Sequence, residues 1–182
     1  GADWRVLEDG LNGRTTVYDD PWSPWRIGKE SLPFSLAAQK PLDLLILMLG
    51  TNDLKFTDAF GAAKGAETLI SVARMVHARK DSSPAFPNGL KILLVSPILI
   101  HPCVANDPYG TLRGGAEESR RFAEYFRHVA KVQGAAFFDA ASVAQPSPID
   151  GVHMDPESHR ALGLALAGEA RRLLAEQTPE ER

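Results

Sequence analysis

An α/β fold is predicted, with a layer of parallel strands between two layers of helices, and three features of the sequence predict it. Residues 42–49 and 92–96 are apolar on both faces, as central strands must be when helices cover them above and below. Segments of helical periodicity separate the strand candidates, giving the order β, loop, β, α, β, α, β, α. At 182 residues, 44% hydrophobic and 24% charged, the chain has the composition of one globular domain, 1–182, with a sizeable core.

Residues 4–7 read as a short strand entering Gly10-Leu11-Asn12-Gly13, a loop of residues that tolerate unusual backbone angles. Residues 19–41 are interrupted by prolines, carry Trp22 and Trp25, and look irregular apart from a helical turn over 35–39. The strand at 42–49 stops at Gly50-Thr51-Asn52-Asp53. Thr57 or Asp58 caps the next helix, which runs to about Ala78 with Phe60, Ala66, Ile70 and Ala73 on one face; its two glycines weaken it slightly. Strand 92–96 ends at Pro97, and the long segment 97–113, with His101, Cys103 and Tyr109, has the length of a binding loop. Residues 115–133 form an amphipathic helix with Phe122, Tyr125, Phe126 and Val129 inward, stopped by Gly134. A third buried strand occupies 135–138. Asp155 as cap and Pro156 at the first helical position open the last helix, which continues to about Glu176.

Composition excludes several classes. A net charge of -3 with scattered Lys and Arg leaves no basic footprint for nucleic acid. The single cysteine, Cys103, rules out an intrachain disulfide framework and a thiolate zinc cluster. The longest apolar run is far too short to span a bilayer. With no signal peptide visible, a cytoplasmic location is the expectation. Asp150, His153, Asp155 and His159 lie close together but match no zinc signature, so neither a metal nor a cofactor is expected.

In sheets of this kind ligands sit beyond the carboxyl ends of the strands, so chemistry is sought there. In Asp150-Gly151-Val152-His153 the carboxylate can fix the ring tautomer and stabilise the imidazolium formed when the ring takes a proton. The Asn52 side chain and the Gly13 backbone can each offer an N–H to an oxygen that turns negative during acyl transfer. Each element also has a plain use, as a turn former or a capped turn. Their succession, each at a strand end, favours the functional one.

These stretches resemble the SGNH (GDSL) hydrolase superfamily, and most of all its aryl esterase and acyltransferase branch. Glu8-Asp9-Gly10-Leu11-Asn12-Gly13-Arg14-Thr15-Thr16 is similar to its second block, Met48-Leu49-Gly50-Thr51-Asn52-Asp53 to its third, and Asp150-Gly151-Val152-His153 to its fifth. The resemblance implies a flavodoxin-like three-layer parallel sheet of order 2-1-3-4-5. It further implies His153 as general base, Asp150 as its orienting partner, and Gly13 and Asn52 as oxyanion donors. A pocket for short-chain aryl or small-alcohol esters would be lined by Asp53, by the loop of Trp22 and Trp25, and by the loop from His101 to Tyr109; a homo-oligomer is also implied. The tryptophans serve equally as core or subunit contacts.

The family's first block, Gly-Asp-Ser-Leu, which carries the nucleophilic serine, is found nowhere in residues 1–182. Ser96 and Cys103 are the conceivable substitutes. The expectation is a domain that lacks its first strand and helix within residues 1–182, with the nucleophile supplied by a companion N-terminal segment, by a neighbouring subunit, or by residues of the same chain beyond this sequence. The missing strand would lie between residues 4–7 and 42–49, leaving the latter with an exposed apolar edge. The alternative is a non-catalytic fragment or binding module.

Overall fold

The computed structural model describes residues 4–79, 82–106, 110–112 and 114–175. Among them, β1 (Leu45–Leu47), β2 (Ile92–Ser96) and β3 (Ala136–Asp139) form one parallel sheet in the order β1-β2-β3. Leu45 pairs with Ile92 and Leu94 with Phe137, so β2 is central and buried at every position. Its alternate side chains feed two cores. Ile92 and Leu94 join the core under α1 (Gly28–Gln39), α2 (Ala59–His77) and α4 (Phe122–Val132), whereas Leu93 and Val95 meet Leu162 and Leu166 of α5 (Pro156–Ala175) on the other face. Both faces of β2 are covered, which is why it carries no polar alternation.

The caps read from the sequence are in place. The Asp58 carboxylate accepts from Gly61 N–H at 2.8 Å, and Asp155 accepts from Ser158 N–H at 2.7 Å. Each satisfies a donor that the first helical turn leaves open.

Four expectations need correction. Residues 4–7 form no strand; Val6 is 81% exposed, and no described segment offers this stretch a ladder of hydrogen bonds. The strand expected over 42–49 shortens to Leu45–Leu47, because β1 pairs with β2 alone and its outer edge has no neighbour among the described residues. The turn expected over 35–39 is a full helix from Gly28, despite Pro33. It starts early because the carbonyls of Thr15 and Thr16 accept from the N–H groups of Gly28 and Lys29 at 2.9 and 2.8 Å. The helix expected over 115–133 is split into α3 (Gly115–Ser119) and α4. The Ser119 hydroxyl, fixed by Ile100 N–H at 2.9 Å, pins the end of α3 before the chain turns Phe122 into the core.

Phe60 also departs from its assigned face. It is 54% exposed and meets Tyr125 edge-to-face at 5.6 Å. Phe126, in contrast, is fully buried, stands edge-to-face to Phe122 at 5.6 Å, and closes against Gly50, where an added Cβ would lie 2.9 Å from its ring. Phe126→Ala is expected to lower stability by about 3–5 kcal/mol, read as a fall in the urea midpoint at unchanged slope.

Candidate active site

Two clusters of the expected residues form at the carboxyl ends of the strands. The first is the turn before α5. Asp150 Oδ1 accepts from the N–H groups of Val152 and His153, both at 2.9 Å, and Asp150 Oδ2 lies 2.9 Å from His153 Nδ1. One carboxylate oxygen shapes the turn and the other aims the ring. The two N–H donors, helped by His153 and opposed by partial burial, hold the Asp150 carboxyl down from 3.8 to about 2. His153 is 75% exposed, so its ring faces solvent.

Gly151 makes this turn possible. Its φ of +74° lies in the left-handed region, and an added Cβ would fall 2.7 Å from Cys103 Sγ and 2.9 Å from Val104 Cγ2. Its carbonyl accepts from His101 N–H at 2.8 Å, and its N–H donates to Ser147 O at 2.8 Å. His101 therefore packs on the turn through its backbone, while its Nδ1 accepts from Cys103 N–H at 3.1 Å. Tyr109 lies outside the described residues.

The second cluster joins residues 13–16 to the turn after β1. Asn52 Nδ2 donates to Arg14 O at 3.2 Å, which sets the side-chain amide beside the residue that follows Gly13. Gly13 is buried at φ +75°, and its N–H makes no hydrogen bond among the described residues. Ser23 and Arg26 cover it, because an added Cβ would sit 3.6 Å from Ser23 Oγ and 3.1 Å from Arg26 Nη1. Trp22 and Trp25, on the same loop, are 88% and 87% exposed and form no part of the chain's core. Asp53, expected at a pocket wall, is wholly buried and turned toward Thr16. Asp20, also buried, accepts from Lys55 Nζ and from Trp22 N–H; these bonds outweigh the effect of burial and lower its carboxyl.

The segment after β2 runs between the clusters, with Pro97 against Gly50 and His101 against Gly151. No hydrogen bond links His153 to a serine among the described residues. Ser96 is buried and bonded to Asp139 Oδ1 at 3.0 Å, Ser147 accepts from Ile149 N–H, and Ser158 accepts from Gln145 N–H. Cys103 is half-buried against Gly151. Two surface grooves, of about 130 and 290 Å³, lie elsewhere, between α1 and α2 and between α2 and α4. No group of three or more His, Cys, Asp or Glu among the described residues is arranged to hold a metal ion.

Reading the sequence missed Thr16 and Gly65 as parts of this architecture. Gly65 looked like a weak point in a helix; in fact it makes room for Thr16, whose Oγ1 would lie 1.8 Å from any Cβ there. A glycine in the middle of an otherwise regular helical pattern was the available signal.

A family model described as the GDSL-like lipase/acylhydrolase family matches residues 1–161. The chain belongs to that family. The resemblance carried by residues 8–16, 48–53 and 150–153 is thereby borne out, and the family's class, carboxylic ester hydrolase, is the class of this protein. Among solved structures, a carbohydrate acetylesterase family member from Sinorhizobium meliloti is 40% identical, with 96% of this chain and 82% of that one covered at a TM-score of 0.85. The native aryl esterase of M. smegmatis is 36% identical, with 96% and 81% covered at a TM-score of 0.82. A further carbohydrate acetylesterase from Sinorhizobium meliloti is 32% identical, with 92% and 78% covered at a TM-score of 0.82. No curated protein matches. No helix among the described residues is long and apolar enough to cross a membrane.

Two outcomes follow from the turn. Gly151→Ala is expected to cost about 1–2 kcal/mol from the left-handed backbone alone, and more from the collision with Cys103, measured by urea unfolding. Asp150 has a folded value near 2 and a reference value of 3.8, so its stabilisation is complete above 3.8 and disappears as pH falls toward 2. The stability difference between the native protein and Asp150→Asn, followed by denaturation from pH 6 to pH 2, is expected to stay level and then shrink through that window.

Proposed function

We propose that the protein hydrolyses short-chain esters of aryl or small alcohols, acetyl esters of carbohydrates among them, through an acyl-enzyme. The observation that carries this reading is the Asp150–His153 pair, 2.9 Å apart, with the imidazole open to an incoming substrate. A serine hydroxyl attacks the ester carbonyl while His153 takes its proton, and Asp150 stabilises the imidazolium. Gly13 N–H and Asn52 Nδ2 receive the negative oxygen; loss of one such donor typically costs about 10²–10³ in kcat. Collapse expels the alcohol with the proton from His153. Water, activated by His153, then releases the acid, and an alcohol in place of water gives acyl transfer instead.

This reading takes the nucleophile from outside residues 1–182, on a strand that pairs with the open edge of β1. The edge supports it: β1 is paired on one side, and its Ile46 is 40% exposed. A parallel strand placed there would end beside Gly50 and Asn52, where the oxyanion donors wait. The same edge fits assembly into a homo-oligomer that buries it.

The engagement of Ser96 with Asp139 favours a second reading, a binding module without a nucleophile. Turnover of an aryl acetate, combined with fluorophosphonate labelling and peptide mapping, separates the two. Turnover that falls by about 10⁴-fold or more in His153→Ala, with the adduct on a serine outside residues 1–182, is the expected result. An adduct on a serine within those residues would overturn the location of the nucleophile. No turnover and no adduct would leave the binding module.

A further inference from the structure

We infer that Asp53 is a positioning residue for the oxyanion site, its buried carboxylate fixing the spacing between the Gly13 and Asn52 donors. The inference rests on the esterase reading, and it deepens that reading.

Asp53 is fully buried, as is Thr16, 37 residues away in the sequence. The Thr16 N–H donates to both carboxylate oxygens, at 3.0 and 3.2 Å, and the Thr16 hydroxyl donates to Oδ1. On its own side Asp53 is held by the backbone. Its N–H donates to Gly50 O at 3.2 Å, and its carbonyl accepts from Phe56 and Thr57 N–H at 2.8 and 3.0 Å. The carboxylate therefore clamps residues 13–16 to the turn after β1. The bond from Asn52 Nδ2 to Arg14 O, between neighbouring residues of the same two segments, is the one the clamp holds in register. Gly65 of α2 closes the site from behind, with room for nothing larger than hydrogen: an added Cβ would be 3.3 Å from Asp53 Oδ1 and far closer to Thr16.

The arrangement is costly for a mere spacer. No cation among the described residues touches the Asp53 carboxylate, and burial raises it from 3.8 to about 6 against the opposing hydrogen bonds from Thr16 and its own backbone N–H. An apolar side chain would fill this space without the desolvation, but it would release the Thr16 N–H and hydroxyl, and with them the position of residues 13 and 14. A displacement of about 1 Å at such a donor pair can cost about 10²-fold in rate.

The test uses the full protein and three variants. Asp53→Ala is expected to lower kcat for an aryl acetate by about 10²-fold with KM changed less than about twofold. Asp53→Asn keeps an acceptor for the Thr16 N–H and is expected to recover most of the loss. Thr16→Val, close in shape, removes the hydroxyl donor but keeps the N–H to Asp53, and is expected to show a smaller loss of the same kind, with urea unfolding confirming that it is folded. The Asn52 side-chain amide signals in ¹H–¹⁵N spectra supply a readout independent of turnover; they should shift and lose exchange protection in Asp53→Ala and Thr16→Val while core amides stay in place. Unchanged Asn52 signals, or a rise in KM with kcat intact, would overturn the inference. A native protein without turnover would instead overturn the esterase reading, and the Asn52 signals would still decide whether Asp53 sets that side chain.

Discussion

Residues 13–16 are the constraint on which the rest of the site depends. Gly13, Thr15 and Thr16 are buried, yet the segment belongs to no helix or strand of the sheet, so other parts of the chain must satisfy its backbone. Thr15 N–H donates to Arg26 O at 3.0 Å, the Thr15 and Thr16 carbonyls receive the first N–H groups of α1, and Thr16 N–H goes to Asp53. Arg14 O takes the Asn52 amide. One buried segment thus decides where α1 starts, why α2 needs a glycine at 65, and where the turn after β1 must sit. The Lys55–Asp20 pair, 3.1 Å apart, adds a third link between the same two regions.

This explains what was legible in the sequence. Strand β2, helices α2 and α5, their Asp caps and the Asp150–His153 pair are encoded by residues close together in the chain, so periodicity and spacing suffice to find them. Helix α1 is not encoded that way. Its N-cap, Ile27, offers no side-chain acceptor, and the carbonyls that replace one come from Thr15 and Thr16. The break between α3 and α4 depends in the same way on Ser119 meeting Ile100. Asp53 looked like a pocket residue because it follows Asn52 at a strand end, but in the tight turn Asn52–Lys55 neighbouring side chains diverge. Asn52 stays half-buried beside Arg14, and Asp53 is carried inward.

Two aspartates, one in the turn after β1 and one in the turn before α5, are pushed in opposite directions by their surroundings. Asp150, half-exposed and fed by two backbone N–H groups, keeps its charge to about pH 2. Asp53 is raised to about 6 because burial outweighs the hydrogen bonds from Thr16 and from its own backbone N–H. Such divergence separates roles. A permanently charged carboxylate suits a partner for imidazolium; a buried one with fixed donors suits the holding of a distance.

The exposure of the Asp150–His153 pair bears on how it is maintained. An ion pair in solvent contributes little to stability, with a typical worth of about 0–1 kcal/mol, so attraction between the two side chains is a weak means of fixing their geometry. The backbone is the stronger means. Asp150 Oδ1 is fully engaged by Val152 and His153 N–H, which leaves Oδ2 as the oxygen in reach of Nδ1. Gly151 supplies the left-handed residue that lets the chain fold back to make those bonds, and His101 N–H and Ser147 O hold it from either side. The direction of the imidazole is therefore a property of the turn's backbone, and the segment after β2 is the support that keeps that backbone where it is.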